Sequence, residues 1–405
     1  MNKKNILFIS ISWPDKGSRN LYKDLMDEFR DHGHQVFVIC SDDKLSTNSH
    51  YGKEEGINVL RVKTLRVRKV GRLGKALALP TLPHKFKKQI NKNFKHHQFD
   101  LLITHTPPIT LSSLMAYLRK KYKAKFYLLL KDIWPHNQAD LGLIRKKGII
   151  WRYFRYHEKK IYRTADHIGC MSPKNVEYIL EHNPYLDPQK VEVNPNSWKL
   201  REKKKVNTYQ IRKKYNIPED ATVFIFSGNL SKGHNLEFFI ETIHELKDYK
   251  KAFFIIGGKG IYYNYLARKV RELDLTNTFL YYYLPEEDFE NILYASDVGL
   301  ILLDYRHSCA QFPSRLLSYL EASKPVLCSV NHATDIGEIV EHAECGIKTL
   351  NNNRHEFIKA VQYLSEHQNK IKYMSNNAYQ LFLDEYNSKN SFKIIMNHFP
   401  KNSIH

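Results

Sequence analysis

Two short stretches carry residue types suited to chemistry. His105, Thr106, Pro107 and Pro108 follow the apolar run 101–104, and Lys131, Asp132, Trp134 and Pro135 follow the apolar run 126–130. Each run reads as a strand, and in a parallel α/β sheet the loops beyond strand ends hold the ligand. His and Asp in such loops can orient a hydroxyl or accept its proton. Two plainer roles fit equally: His105 bonding loop backbone, and Asp132 satisfying N–H groups of its own turn. Trp134 can stack on a sugar or lipid group, or serve as a buried ring that stabilises its loop. Between the two stretches, 110–123 has a helical pattern, so the unit is strand–helix–strand.

A second pair of segments suits an anion. The apolar run 223–227 is followed by Gly228, Asn229 and Lys232, and then by a helical pattern with Leu236, Phe239, Ile240 and Ile243 on one face. Backbone N–H groups at a helix start, with the Lys232 ammonium, would suit a phosphate. The Walker spacing is absent, and an ordinary strand-to-helix turn accounts for the same residues. Further on, the spacing predicts that Ser314 caps a short helix bearing Arg315 in its first turn, with Pro325 ending the segment. That makes a second anion site, unless Arg315 pairs with a surface acid. If both sites face one cleft, they clamp the two phosphates of a nucleotide diphosphate without a metal.

The elements that must position these residues alternate along the whole chain. Strands are expected at 6–12, 35–39, 59–62, 101–104, 126–130 and 167–170, then at 223–227, 252–257, 279–283, 298–303 and 325–330, with helices of 10–17 residues between them. Such alternation predicts an α/β protein with doubly wound parallel sheets. The charged, aperiodic stretch 197–207 marks a boundary. The expected organisation is a Rossmann-like domain over 1–200, a second over 201–370 facing it across a cleft, and helices over 371–405 that pack back on the junction.

Composition agrees with a globular chain of two domains: 405 residues, 42% hydrophobic and 13% aromatic. Five scattered cysteines show no Cys-x-x-Cys spacing, which points to a reducing compartment without disulfides or zinc. The N-terminal apolar run is broken by serines and followed by Asp15 and Lys16, which favours a first strand over a signal peptide. Residues 1–200 hold 37 Lys/Arg against 18 Asp/Glu, whereas 201–405 hold 26 against 24. The excess concentrates in 61–97, with twelve Lys/Arg, three His and no acid. A solvated surface, nucleic acid and an anionic membrane all fit such a cluster. Interleaving with Val70, Leu73, Ala76, Leu77, Leu79 and Leu82, in place of stacking aromatics, favours the membrane over nucleic acid. Lys85, Lys87 and Lys88 then flank Phe86, Ile90 and Phe94 at helical spacing; the same three apolar residues can instead pack into the domain core.

Several short motifs occur in a telling order: Gly33-His34-Gln35-Val36, Pro107-Pro108, Asp132-Ile133-Trp134-Pro135, Pro195-Asn196, Ser227-Gly228-Asn229, Pro313-Ser314-Arg315, and Tyr319 followed by Lys324-Pro325-Val326. Through them the chain resembles retaining glycosyltransferases of family 4 with the GT-B fold, most of all the branch that builds capsule and O-antigen polysaccharides. The resemblance implies sugar transfer from a nucleotide-diphosphate sugar, UDP-linked above all, with retention at the anomeric carbon and neither metal nor cofactor. It places donor contacts at Gly17, Gly228, Asn229, Lys232, Ser314, Arg315, Ser318 and Glu321. His105 and Asp132 become catalytic candidates, and Lys131, Trp134, Lys85, Lys87 and Lys88 face a lipid-linked saccharide acceptor and an anionic membrane. The expected location is cytoplasmic, on the inner face of the plasma membrane, without nucleic acid and with a partner subunit or homodimer allowed.

The chain also departs from the pattern. Ala310 and Ser318 stand where the family carries two Glu residues, Lys131 replaces an Arg, and Gly17, flanked by Lys16, Ser18 and Arg19, is what remains of a Gly-Gly loop. Glu321, one helical turn beyond Ser318, is a candidate substitute. These departures keep two other readings open, a catalytically impaired sugar-nucleotide-binding subunit and a nucleotide-sugar epimerase. Base selection is expected near 282–286.

Overall fold

In a computed structural model the described residues are 3–15, 17–43, 49–65 and 72–399, with side chains described outside 72–78. The chain divides into two compact units, Met1–Lys199 with Asn387–His405, and Leu200–Tyr386.

The first unit is built on eight strands: β1 (Asn5–Ser10), β2 (Gln35–Asp42), β3 (His50–Glu54), β4 (Ile57–Lys63), β5 (Leu101–Thr106), β6 (Lys125–Leu130), β7 (His167–Cys170) and β8 (Val191–Val193). Their order is β3-β4-β2-β1-β5-β6-β7-β8, parallel except for the β3–β4 pair. The second unit holds β9 (Thr222–Ser227), β10 (Ala252–Gly257), β11 (Thr278–Tyr281), β12 (Val298–Leu302), β13 (Val326–Val330) and β14 (Gly346–Leu350) in a parallel sheet of order β11-β10-β9-β12-β13-β14. Helices on both faces explain why central strands are apolar without alternation: Ile6, Leu7, Phe8 and Ile9 are all fully buried, as are Phe224, Ile225 and Phe226.

The Arg72–Asn93 helix settles the two readings of its lysine-flanked face. Phe86, Ile90 and Phe94 are fully buried, so this stripe belongs to the core and no membrane face is made from it. Lys85 is half-buried, Lys87 and Lys88 are exposed, and the Lys87 ammonium lies 4.0 Å over the Tyr117 ring. Leu82 is buried too. Lys16, Val70 and the side chains of Leu73, Ala76 and Leu77 lie outside the described residues. Among the described residues no helix is long and apolar enough to cross a membrane.

The stretch 371–405 divides between the units. The Gln368–Glu385 helix lies in the second, while the Ser388–Asn397 helix returns to the first. There Phe392 packs edge-on to Phe29 at 5.0 Å and stacks on His32 at 4.1 Å, and Ser388 Oγ donates to Glu28 at 2.7 Å. Phe392→Ala should therefore lower the stability of the first unit by about 3–5 kcal/mol, read as an earlier urea midpoint; a midpoint equal to wild type would show that the returning helix is ornamental to that core.

Candidate functional site

In the first sheet the chain leaves β1 toward β2 on one side and resumes with β5 on the other. Such a reversal opens a crevice at the carboxyl ends of the two strands. Ser10 ends β1, and His105 lies near the end of β5, whose ladder pairs it with Leu129 of β6. His105 is thus a strand residue rather than the loop residue expected, since the pairing continues through Thr106.

His105 is 6% exposed, stacks on Tyr22 with ring centroids 4.1 Å apart, and places Nε2 2.9 Å from Ser10 Oγ. Its Nδ1 is sealed from solvent. Burial, then the Lys131 charge, pushes its pKa down to about 3, which keeps the imidazole neutral. His105 joins the ends of β1 and β5 to Tyr22.

Asp132 is the second residue beyond β6. Its side chain is exposed, yet the density of protein around it pushes its pKa up to about 6. The Tyr22 phenol is raised by its own burial and then by the Asp132 charge, so Tyr22, His105 and Asp132 share one corner. Lys131 turns the other way: Nζ donates to the Asn194 carbonyl at 3.1 Å, and burial lowers its pKa to about 7. The placement of Lys131 toward a membrane is therefore corrected; it ties the Asp132 loop to the Asn194-Pro195-Asn196 segment. Trp134 is half-buried, edge-on to Phe154 at 3.9 Å, which answers to the loop-bracing alternative. The peptide bonds before Pro107, Pro108 and Pro135 are cis.

The second sheet reverses in the same way between β9 and β12. Gly228 and Asn229 follow β9 and are exposed, while Arg315 opens the Arg315–Glu321 helix that follows β12. Tyr319 fixes that helix to the sheet, its hydroxyl donating toward the Ile225 carbonyl at 3.0 Å. Gly299 makes room for the ring, because a Cβ there would come within 2.3 Å of it. Ser314 is not the cap expected: its backbone is already helical (φ −63°, ψ −15°) and its side chain accepts no capping bond, whereas a capping side chain needs an extended backbone.

Arg315 is the most informative side chain of the unit. Its guanidinium stands 4.0 Å over the Phe226 ring, and Nη2 lies 3.1 Å from His234 Nε2. His234 Nδ1 faces the Leu302 carbonyl at 3.1 Å, so Nδ1 carries the proton and Nε2 accepts from Arg315. Burial, then the Arg315 charge, pushes the His234 pKa down to about 3, keeping the imidazole neutral for that task. Burial also lowers the Arg315 pKa. Among the described residues Arg315 has no acidic partner, and its Nη1, sealed from solvent, makes no hydrogen bond, so the surface ion pair is not its role. A half-buried guanidinium with an unused donor suits an anion.

The backbone of Gly228 lies beside it; a Cβ on Gly228 would sit 3.4 Å from Arg315 Nη2. Behind it the Gly257–Gly260 loop, not anticipated from sequence, presses against the same turn. Gly228 N donates to Gly257 O at 2.9 Å and Leu230 N to Lys259 O at 2.9 Å. A Cβ on Gly258 would stand 1.7 Å from the Gly228 carbonyl oxygen. Lys232 is half-buried on a single 3₁₀ turn, Lys232–His234, after which Asn235 adopts a left-handed conformation. Ser318 is one turn after Arg315 and half-buried; Glu321 ends the helix, where its charge helps raise the Tyr294 phenol. Ala310 is 5% exposed. In the first unit, Gly17 N–H is engaged by Glu55 Oε1 at 3.0 Å. Exposed Tyr282 and Tyr283 follow β11, and the Lys259 ammonium lies 3.9 Å over Tyr283. Among the described residues no three His, Cys, Asp or Glu side chains are grouped to hold a metal.

Known proteins share the fold of this chain. Residues 16–199 match the family described as Glycosyltransferase Family 4, and residues 207–381 match Glycosyl transferases group 1. The probable glycosyltransferase WbjE of Pseudomonas aeruginosa is 25% identical over 249 residues, 61% of each chain. Among solved structures, Anabaena HepE in complex with UDP and glucose has a TM-score of 0.70 at 15% identity, over 98% of this chain and 99% of that one. WaaG, described as a glycosyltransferase involved in lipopolysaccharide biosynthesis, has a TM-score of 0.68 at 13% identity, over 96% and 99%. These likenesses identify the fold as GT-B.

Proposed function

We propose that this GT-B chain, with a family 4 region in its first unit and a group 1 region in its second, is a glycosyltransferase that moves a sugar from a nucleotide diphosphate to an acceptor hydroxyl. The observation that carries the reading is Arg315, a half-buried cation with an unused donor and no acid beside it, next to the exposed Gly228 turn. As the anomeric carbon leaves the diphosphate for the acceptor oxygen, the electron pair departs with the diphosphate. Arg315 and Lys232 would neutralise that charge, supplying the electrostatic part of the rate. The hydroxyl attacks from the face that the diphosphate leaves, and its proton passes to Asp132 or to the departing phosphate oxygen, with Asp132 orienting the hydroxyl.

The donor in this reading is a UDP-sugar, transferred with retention and without a metal as a hexosyl group. The UDP complex of HepE supports the nucleotide. A lipid-linked saccharide of a bacterial surface polysaccharide is the acceptor, for which the order of sequence motifs and the likeness to WaaG speak. Such an acceptor implies work at the cytoplasmic face of the membrane, and the basic excess of residues 1–200 suits that surface.

One observation favours a second reading. Ala310 and Ser318 leave the donor side without the family's carboxylates, which fits a subunit that binds sugar nucleotide without turnover. A thermal-shift panel of nucleotide sugars tests what both readings share. Saturating UDP-sugar should raise the midpoint by roughly 5 °C, while nucleosides at the same concentration should raise it far less. No shift with any nucleotide sugar would overturn the donor assignment.

A further inference from the structure

Asn194, the first residue beyond β8, is fully buried with every polar group engaged. Its N–H donates to the Cys170 carbonyl at 2.7 Å, and its own carbonyl accepts from Lys131 Nζ at 3.1 Å. Nδ2 donates to the Tyr127 hydroxyl at 3.0 Å, and Oδ1 accepts from Ser391 Oγ at 2.7 Å. The residue type follows from these partners. Tyr127 donates its proton to Glu192 Oε1 at 2.7 Å, so toward residue 194 it can only accept. Ser391 donates, so residue 194 must also accept. A short side chain with a donor and an acceptor at one end is Asn; Asp lacks the donor. Gly169 in β7 makes the space, since a Cβ there would lie 2.6 Å from the Tyr127 hydroxyl oxygen and 2.7 Å from Asn194 Cβ.

We propose that Asn194 is a positioning residue for Asp132, and that Ser391 of the returning Ser388–Asn397 helix makes this positioning depend on that helix. The proposal rests on the reading of Asp132 as the group that orients the acceptor hydroxyl. With its side chain fixed by Ser391 and Tyr127, Asn194 presents its carbonyl to Lys131 in one direction. Lys131 is thereby held inward and half-buried, while its neighbour Asp132 stays exposed. Thr106 Oγ1 brackets the same backbone, accepting from Lys131 N at 3.3 Å and donating to the Asp132 carbonyl at 3.4 Å. The end of the returning segment adds a second tie, because His398 Nε2 lies 2.8 Å from Glu192 Oε1, the atom that Tyr127 also contacts. Buried polar networks of this kind hold one geometry only while every member is satisfied. Loss of the Ser391 hydroxyl leaves Asn194 Oδ1 without that partner and loosens the carbonyl that Lys131 grips.

Hydrogen exchange of the full chain without ligand reads the relay first. Ser391→Ala and Lys131→Met should each speed exchange of the amides between Lys131 and Asn137 about tenfold or more, while those of 36–40 in β2 exchange as in wild type. UDP release from a UDP-sugar with extracted bacterial membrane lipids reads the consequence. Each variant should lose about tenfold or more in turnover at unchanged UDP affinity, and Ser391→Ala does so without altering any charge. Lys131→Arg, which keeps a donor for the Asn194 carbonyl, should recover part of the turnover lost in Lys131→Met. The double variant Ser391→Ala/Lys131→Met should be no slower than Lys131→Met, because both changes cut one chain of contacts. Multiplying losses in the double variant, wild-type exchange between Lys131 and Asn137, or rates that merely follow the melting temperature would each overturn the relay. If wild type binds no UDP and releases none, the glycosyltransferase reading fails by itself, and exchange still decides whether the returning helix holds the Asp132 loop.

Discussion

Arg315→Met should remove recognition of the diphosphate while leaving the second unit folded. Two charge-assisted bonds to phosphate, each about 1.5–3 kcal/mol, amount to a loss of at least about a hundredfold in UDP affinity. Affinity for uridine should change far less, which separates loss of the anion contact from collapse of the site. The fold should survive because the native guanidinium is itself half-buried without an acid, and an apolar chain of similar length relieves that penalty. Arg315→Lys should recover only part of the affinity, as an ammonium lacks the fork that grips phosphate while bonding His234. Calorimetric titration of UDP and uridine into the three proteins reads all of this. Equal UDP affinity in wild type and Arg315→Met would make Arg315 a packing residue.

Asp132→Asn should lower turnover about a hundredfold or more while UDP affinity stays at the wild-type value. Its surroundings raise the carboxyl pKa to about 6, and a base works only when ionised. Wild-type kcat should therefore be full above pH 7 and fall as pH drops through about 6, and the residual rate of Asp132→Asn should lack that acid limb. Stability moves in the opposite sense. A carboxyl whose pKa is raised on folding disfavours the native state once pH exceeds its unfolded value, so the asparagine variant should melt no earlier than wild type at neutral pH. Loss of activity in a protein of undiminished melting temperature then reports chemistry. A pH profile with the same acid limb in both proteins would move the titrating group elsewhere.

The parts of the fold legible in sequence are those whose residues are buried on both faces. The apolar runs at 167–170 and 252–257 are strands over those very residues, and β9, β12 and β13 differ from the expected bounds by one residue. Strands that escaped have other physics. β3 is a polar edge strand made of His50, Tyr51, Gly52, Lys53 and Glu54, β8 has three residues, and β14 carries Lys348 and Thr349 half-exposed or paired at the sheet margin. Helical spacing identified Phe86, Ile90 and Phe94 as one stripe, but what a stripe packs against is a tertiary fact. The site shows the same division. Arg315 and Asp132 stood out by residue type and motif, whereas the groups that set their chemistry are distant in the chain. His234 precedes Arg315 by 81 residues, and Tyr22 reaches Asp132 from the first helix. His105 is buried between Ser10 and Tyr22, a setting that its residue type does not reveal.

Turnover is the central claim, and one measurement addresses it directly. Purified protein is mixed with a UDP-sugar labelled in the sugar and with lipids extracted from bacterial membranes, and both label in the lipid fraction and free UDP are counted. The expected result is label in lipid with one UDP released for each sugar transferred, and neither with Arg315→Met. Tight UDP-sugar binding across the donor panel with no UDP released and no label in lipid would contradict it, and would make the chain a sugar-nucleotide-binding subunit.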